Sequence, residues 1–424
     1  MSKSINSQSH WNLFLLFPIY AAYYALKSYK ATWAKNIIWA FVVFYGFTIG
    51  TSKEIAAGSD GGTADIFRYA QGVKDLHEKS LSFSEIKKLY AENEDIDILN
   101  LTISIIVSRI TDNLQLLAAV YGLIFGFFFS RNIWFVLERV KGEIKPIILI
   151  LIAAYFLVNP FWNIGGFRFW TATHIFIYGL LPYLYKGQKK GIFISSLSVL
   201  VHFSFTLPVL FLWLYVLIGN RTVFYFVFFI SSIITSEFNI TTFNAFIEAN
   251  APEKVVTRTS GYRNEESVEE FREGGENAQI DNTVQISWHA RFYQKALKWS
   301  LMAFLIFLFF RRKVIKQFSA SIYNSFNFTL LFWGFANIMS SIPSGGRYLT
   351  VAALSALPLI IFFLHNRKKE KMLSNLIVVA YPALLLFIIV SIRVGFYSIT
   401  LKTLLNPIIV LFMDNNVTLN DLIK

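Results

Sequence analysis

Cysteine is absent from the chain, which excludes disulfides, thiolate metal sites and a cysteine nucleophile. Charged residues make up only 15% of the 424 positions, and neither a zinc-ligand spacing nor a glycine-rich nucleotide loop is present. No metal and no cofactor is called for by these patterns. What is abundant is apolar: 55% of residues are hydrophobic and 17% aromatic, with a mean hydropathy of +0.50. That composition lies far from a soluble domain. The chain reads as an all-α, polytopic integral membrane protein, a single membrane domain over 1–424. Its net charge of +13 belongs to cytoplasmic loops in such a protein rather than to nucleic-acid binding.

A membrane span takes roughly 17 to 25 mostly apolar residues. Runs that qualify cover 11–27, 36–52, 113–130, 146–163, 168–186, 191–219, 222–236, 293–310, 320–341, 346–364 and 373–392, with 396–413 ambiguous. The expectation is about 11–13 transmembrane helices, some broken or re-entrant. Lys27, Lys30 and Lys35 place the first loop in the cytoplasm, which puts the N-terminus outside. Alternation then sends the acidic stretch 53–98 outside and Arg131, Arg139, Lys141 and Lys145 inside. A single crossing by 191–219 would put acidic 237–292 inside and Arg311–Lys316 outside, against the positive-inside rule. Two shorter helices turning near His202-Phe203-Ser204 restore the order.

Two turns then share the outer face. Asn163-Ile164-Gly165-Gly166-Phe167-Arg168 and Ser341-Ile342-Pro343-Ser344-Gly345-Gly346-Arg347 each set a glycine pair before an arginine at the head of an apolar segment. Residues without side chains leave backbone N–H groups accessible at a helix N-terminus, where the dipole is positive. A phosphate-bearing ligand suits either place. The plain alternative is a loop between spans whose arginine reaches lipid headgroups.

The two long outer loops carry structure of their own. In 53–98, Thr63 can cap a helix from Ala64, and Ser82-Phe83-Ser84-Glu85 has capping-box spacing, so short helices lie along the membrane surface. The segment 98–111, interrupted by Arg109, reads as interfacial or re-entrant. Loop 237–292 is very polar from Glu265 to Glu276 and is either a lid over substrate or a solvated loop.

The order of these cues resembles the EpsG-like branch of bacterial polysaccharide polymerases, which are similar to the Wzy polymerases of O-antigen, capsule and exopolysaccharide synthesis. The cues are Asp65-Ile66-Phe67-Arg68-Tyr69, then Gly166-Phe167-Arg168-Phe169-Trp170-Thr171-Ala172 entering a span, then His202-Phe203-Ser204 in a broken helix. Wzy-type proteins also carry an Arg-x10-Gly pattern, which Arg168 and Gly179 satisfy; Arg347 departs from it, with Pro358 at the glycine position. The resemblance implies a glycosyltransferase-type polymerase of the inner membrane. Its site would face the periplasm, its substrate would be an oligosaccharide linked to undecaprenyl diphosphate, and a protein that sets chain length would be a further partner.

Departure of a diphosphate builds negative charge, which guanidinium groups and helix N-termini stabilise without a metal. Arg168 and Arg347 are the candidates, with Gly165, Gly166, Gly345 and Gly346 presenting backbone and Arg68 beside them. His202 is the first candidate base for the acceptor hydroxyl, with Asp60, Asp65 and Glu237 behind it. His174 lies about 240° round the helix from Arg168 and shares no face with it. Two other classes stay open. A polyprenyl-linked-sugar glycosyltransferase or ligase would use the same arginines with an acidic motif such as Asp60 and Asp65. A lipid-glycan flippase would place ionisable residues within spans.

Overall fold

A computed structural model describes residues 7–51, 65–92, 97–234, 248–250, 256, 288–342, 344–366, 371–413 and 416–423. Among them the structure is helical, with one isolated bridge between Thr400 and Thr418. Loop 237–292, with Glu237, lies mostly outside the described residues, as do Asp60 and Thr63.

The chain opens with α1 (Ser7–Leu16) and α2 (Pro18–Lys27), followed by α3 (Ala34–Thr48). Run 11–27 is not one crossing. The His10 ring stacks on Trp33 at 3.6 Å and on Tyr24 at 6.0 Å, whereas a straight helix would separate His10 from Tyr24 by about 21 Å. Pro18, which cannot donate to the preceding turn, marks the reversal. The described start of α1 therefore lies beside the basic loop Lys27–Lys35 rather than a full crossing away from it; the terminus itself, whose expected place is outside, falls beyond the described residues.

Three helices follow outside the main bundle: α4 (Asp65–His77), α5 (Phe83–Glu92) and α6 (Ile98–Ser108). The capping box ahead of α5 is formed reciprocally, Ser82 N–H donating to Glu85 at 2.6 Å and Glu85 N–H to the Ser82 hydroxyl at 3.3 Å. Arg109, which interrupts the apolar run, donates to the carbonyls of Leu76 and Lys79, so α6 clamps the C-terminal end of α4.

The bundle continues through α7 (Leu114–Leu137), α8 (Pro146–Val158) and α9 (Phe167–Lys186). Asn113 caps α7 by accepting from Gln115 and Leu116 N–H. α7 and α3 cross at backbone contact: a Cβ on Gly46 would stand 2.2 Å from the Ala118 carbonyl oxygen and one on Gly122 2.6 Å from that of Val42. Small residues are what such a crossing needs in lipid, where close packing rather than water exclusion holds helices together. Pro146–Lys186 is helical enough to pass as one 41-residue stretch, yet the Asn159 carbonyl lies 3.1 Å from His174 Nε2. A straight helix would hold those atoms about 22 Å apart, so the chain reverses through the 3-10 turn Phe161–Gly166.

Next come α10 (Lys190–Ser196), short 3-10 turns, α11 (Thr206–Ile218) and α12 (Thr222–Ile234). The Trp213 indole donates to the Ser196 hydroxyl at 3.2 Å across seventeen residues, so 191–219 turns back near His202 as two short legs. The remaining helices are α13 (Trp288–Phe310), α14 (Arg312–Phe318), α15 (Ala320–Met339), α16 (Arg347–Asn366), α17 (Lys371–Val379) and α18 (Tyr381–Gly395). α17 and α18 are bent by 55°. The run 396–413 forms four-residue helices, α19 (Leu401–Leu404) and α20 (Pro407–Val410), too short to cross. It lies against the end of α3, with Thr400 donating to the Thr48 carbonyl at 2.6 Å.

Four stretches among the described residues are long and apolar enough to span a membrane, or five with the bent pair. One of the four is Pro146–Lys186, which reverses at Phe161–Gly166, and five further apolar runs are helices of 10–17 residues, so the described residues do not give the expected 11–13 as full-length crossings. One apolar core runs from Phe14 to Val410, with α15 and α16 buried almost all round. Outward-facing apolar residues such as Leu217 (79% exposed) and Phe310 (72%) suit a lipid surround. The chain is a multi-pass membrane protein. At one end Lys35, Arg131, Arg139, Lys186 and Lys190, with Glu138, line a cavity of about 260 Å³. The glycine–arginine turns lie at the other.

Candidate functional site

Arg168 is the second residue of α9, whose N-cap Gly166 makes no side-chain cap. Its side chain does not reach outward to headgroups. It is 9% exposed, its Nη1 3.1 Å from Asp97 Oδ2 and its Nε donating to the Tyr69 hydroxyl at 2.8 Å. Asp97 is 2% exposed, and its other oxygen accepts from the Phe203 backbone N–H at 2.7 Å. One carboxylate thus joins the start of α6, the start of α9 and the turn that follows His202. Burial, the largest cause, pushes the Tyr69 phenol up to about 12, against the pull of Arg168. It stays neutral and accepts from the guanidinium.

The second arginine reaches the same place from α16. Arg347 is exposed, and its guanidinium lies 5.8 Å from the Phe169 ring, within cation–π range. The same ring meets His202 edge-on at 5.5 Å and Tyr348 at 5.8 Å. Phe169 is therefore a hub between α9, α16 and the broken pair. The Tyr348 hydroxyl adds a tie to the Ser204 carbonyl at 2.8 Å. Arg168, Arg347 and His202, three segments apart in sequence, converge on one end of the bundle.

His202 is the N-cap of the 3-10 turn Phe203–Phe205, and its Nδ1 lies 3.2 Å from Ser204 N and 3.1 Å from Ser204 Oγ. A backbone N–H has only a proton to offer, so Nδ1 accepts and the neutral ring carries its hydrogen on Nε2. As placed, His202 presents a donor at Nε2, which is the reverse of what a base at that nitrogen requires.

The glycines divide. A Cβ on Gly345 would stand 1.8 Å from the Met339 carbonyl oxygen, and one on Gly166 2.8 Å from the Trp170 ring. Both are demanded by packing. Gly165 would meet nothing within 4 Å, so space does not explain it, and Gly346 lies in the turn beside Arg347. Asp65 pairs with Arg68 on the first turn of α4, with one oxygen 3.9 Å from the point a Gly166 Cβ would occupy. It is adjacent to the cluster, while Arg68 is exposed.

Gly179 of the Arg-x10-Gly pattern is absent from this site. It lies about 16 Å down α9 from Arg168, where a Cβ would be 2.3 Å from the Gly191 carbonyl oxygen. Its place is the close crossing of α9 and α10. His174 is buried between Asn132 and Asn159 and holds the hairpin of α8 and α9 together.

Sequence reasoning passed over Asp97 and Tyr69. Asp97 had one signal available, an acid at the N-cap position of an apolar helix, yet that acid makes no cap to its own helix. Tyr69 sits one residue past Arg68 within the quoted Asp65–Tyr69 stretch. Among the described residues no three His, Asp or Glu side chains gather as a metal site. What the arrangement brings together at the Phe169 ring is the exposed Arg347 guanidinium and the His202 imidazole, near the N-termini of α9 and α16 and with Arg168 held beside them by Asp97 and Tyr69, a set suited to an anionic, phosphate-bearing ligand.

Comparison with curated proteins and with solved structures gives no match. A family model, that of the EpsG family, matches residues 55–401. The match runs from the surface helices through every member of the arginine cluster, and the chain belongs to the EpsG family, a family of Wzy-like polysaccharide polymerases.

Proposed function

We propose that this protein transfers a growing glycan from undecaprenyl diphosphate to a lipid-linked repeat unit, at the membrane face opposite its basic loops. By the positive-inside rule that face is the periplasmic one of a bacterial inner membrane. The observation that carries the reading is the meeting of Arg347 and His202 on the Phe169 ring, with Arg168 tied to the same His202 turn through Asp97.

In the transfer, an acceptor-sugar hydroxyl oxygen bonds to the anomeric carbon of the donor glycan. The bond from that carbon to the diphosphate oxygen breaks, and its electron pair leaves with the diphosphate. Arg347 and Arg168 meet the charge that develops there, and the helix N-termini add to the field. The Nε2 hydrogen of His202 serves the same oxygens. The hydroxyl proton goes to a carboxylate, and Asp65 beside Gly166 is a described candidate, Asp97 being engaged by Arg168 and Phe203. Asp60 and Glu237 remain candidates from the sequence alone. A protein that sets chain length is the further partner this activity calls for.

The test is the glycan profile of a deletion strain complemented with wild type or with Arg347→Ala, at matched membrane levels. Loss of long chains with single lipid-linked repeats left over is the expected result. Repeats shortened by one sugar would instead indicate a glycosyltransferase, and an unchanged ladder in the deletion strain would exclude polymerisation.

A further inference from the structure

Asp97 immediately precedes α6, where a carboxylate ordinarily accepts N–H groups of its own helix. It accepts none of them through its side chain. One oxygen faces Arg168 across 71 residues and the other accepts from Phe203 across 106. Holding a carboxylate at 2% exposure carries a heavy desolvation cost unless good geometry and added hydrogen bonds offset it. Here both are present, and Tyr69 takes the Nε–H of the same guanidinium. Gripped at Nη1 and Nε from two different helices, the guanidinium plane has a fixed orientation. The Phe203 N–H that Asp97 also holds belongs to the residue after His202.

We propose that Asp97 is a positioning residue, which sets the orientation of the Arg168 guanidinium and the place of the His202 turn for diphosphate departure. This rests on the polymerase reading above. Asp97 does not touch the reacting atoms. Its effect is on where the groups that do so stand, and displacement of about 1 Å is enough to cost catalysis heavily.

Two other roles predict different signs. A carboxylate that merely offsets the arginine charge would, when neutralised, leave turnover unchanged and tighten binding of an anion. One that matters only for folding would lower the melting temperature without changing turnover per folded molecule.

The experiment uses the full chain in lipid nanodiscs, with lipid-linked repeat units for turnover and undecaprenyl diphosphate for affinity, both normalised to folded protein. Asp97→Asn is expected to lower kcat about tenfold or more while KM stays within about twofold, with part of the loss recovered by Asp97→Glu. Wild-type turnover in folded Asp97→Asn, or tighter undecaprenyl diphosphate binding with unchanged turnover, would overturn the assignment. If Asp97→Asn does not fold, Asp97→Glu decides, since it keeps the charge and displaces it by one methylene: reduced turnover supports positioning and wild-type turnover overturns it. A wild-type protein that makes no polymer would remove the polymerase reading. The affinity arm then judges Asp97 separately, weaker undecaprenyl diphosphate binding in Asp97→Asn supporting positioning and equal or tighter binding overturning it.

Discussion

The Tyr348 hydroxyl donates to the Ser204 carbonyl oxygen at 2.8 Å, tying the helix that begins with Arg347 to the turn that carries His202. Deleting that hydroxyl leaves the carbonyl short of a partner, at about 1–2 kcal/mol. Tyr348→Phe is therefore expected to fold and reach the membrane while shifting the glycan ladder toward short chains. A wild-type ladder would show that the tie is dispensable for the site.

The two arginines differ in what their removal leaves behind. Arg168→Ala strands the buried Asp97 carboxylate, at about 3–5 kcal/mol, so reduced membrane levels are expected alongside lost polymer. Arg347 is exposed, and its truncation is expected to cost within about 0.5 kcal/mol while still abolishing long chains. Quantitative membrane blots with glycan gels separate the two; equal loss of protein in both variants would contradict this account.

Alanine at the glycines is expected to sort packing from function. Gly345→Ala pushes a methyl group into the Met339 carbonyl and should lower protein levels sharply, whereas Gly165→Ala meets open space and should leave them unchanged. A Gly165→Ala protein at normal level that fails to polymerise would place that backbone against substrate.

Because the chain has no cysteine, sidedness can be read from single introduced thiols. Ser9→Cys and Lys30→Cys are expected to react with an impermeant maleimide from the same side and Ser84→Cys from the opposite one. Labelling of position 9 together with position 84 would contradict the α1–α2 hairpin.

Glu85 gives a pH dependence with a defined sign. Hydrogen bonds from the Ser82 side chain, then from its backbone N–H, hold this carboxyl below the usual carboxylate range. A depressed folded value means its contribution is present above the unfolded value and lost as pH falls through the folded one. Amides of Phe83–Glu92, corrected for intrinsic exchange, should lose protection as the pH falls below the ordinary glutamate range in wild type, with no such step in Glu85→Gln. A step in both would assign it to another group.

Much of the architecture is local enough to be written in the residue order. Long apolar runs define a membrane protein because backbone in lipid must satisfy its own hydrogen bonds. The Ser82–Glu85 box and the break at His202 are contained within a few residues, so the sequence alone determined the all-α class, the capped helix after Ser82 and the broken pair. Hydropathy cannot distinguish a crossing from a hairpin of two half-length helices, since both need only apolar residues; the reversal at Pro18 and the four-residue helices after Thr400 emerged only from packing. The partner of Arg168 was equally hidden. Asp97 stands among many acids of one loop, and its selection follows from α6, α9 and the His202 turn meeting at a single point. The partners of His202 were hidden too: an imidazole can give or take a proton, and that the Ser204 N–H points at Nδ1 while the ring meets Phe169 of another helix is a matter of geometry that no residue spacing contains.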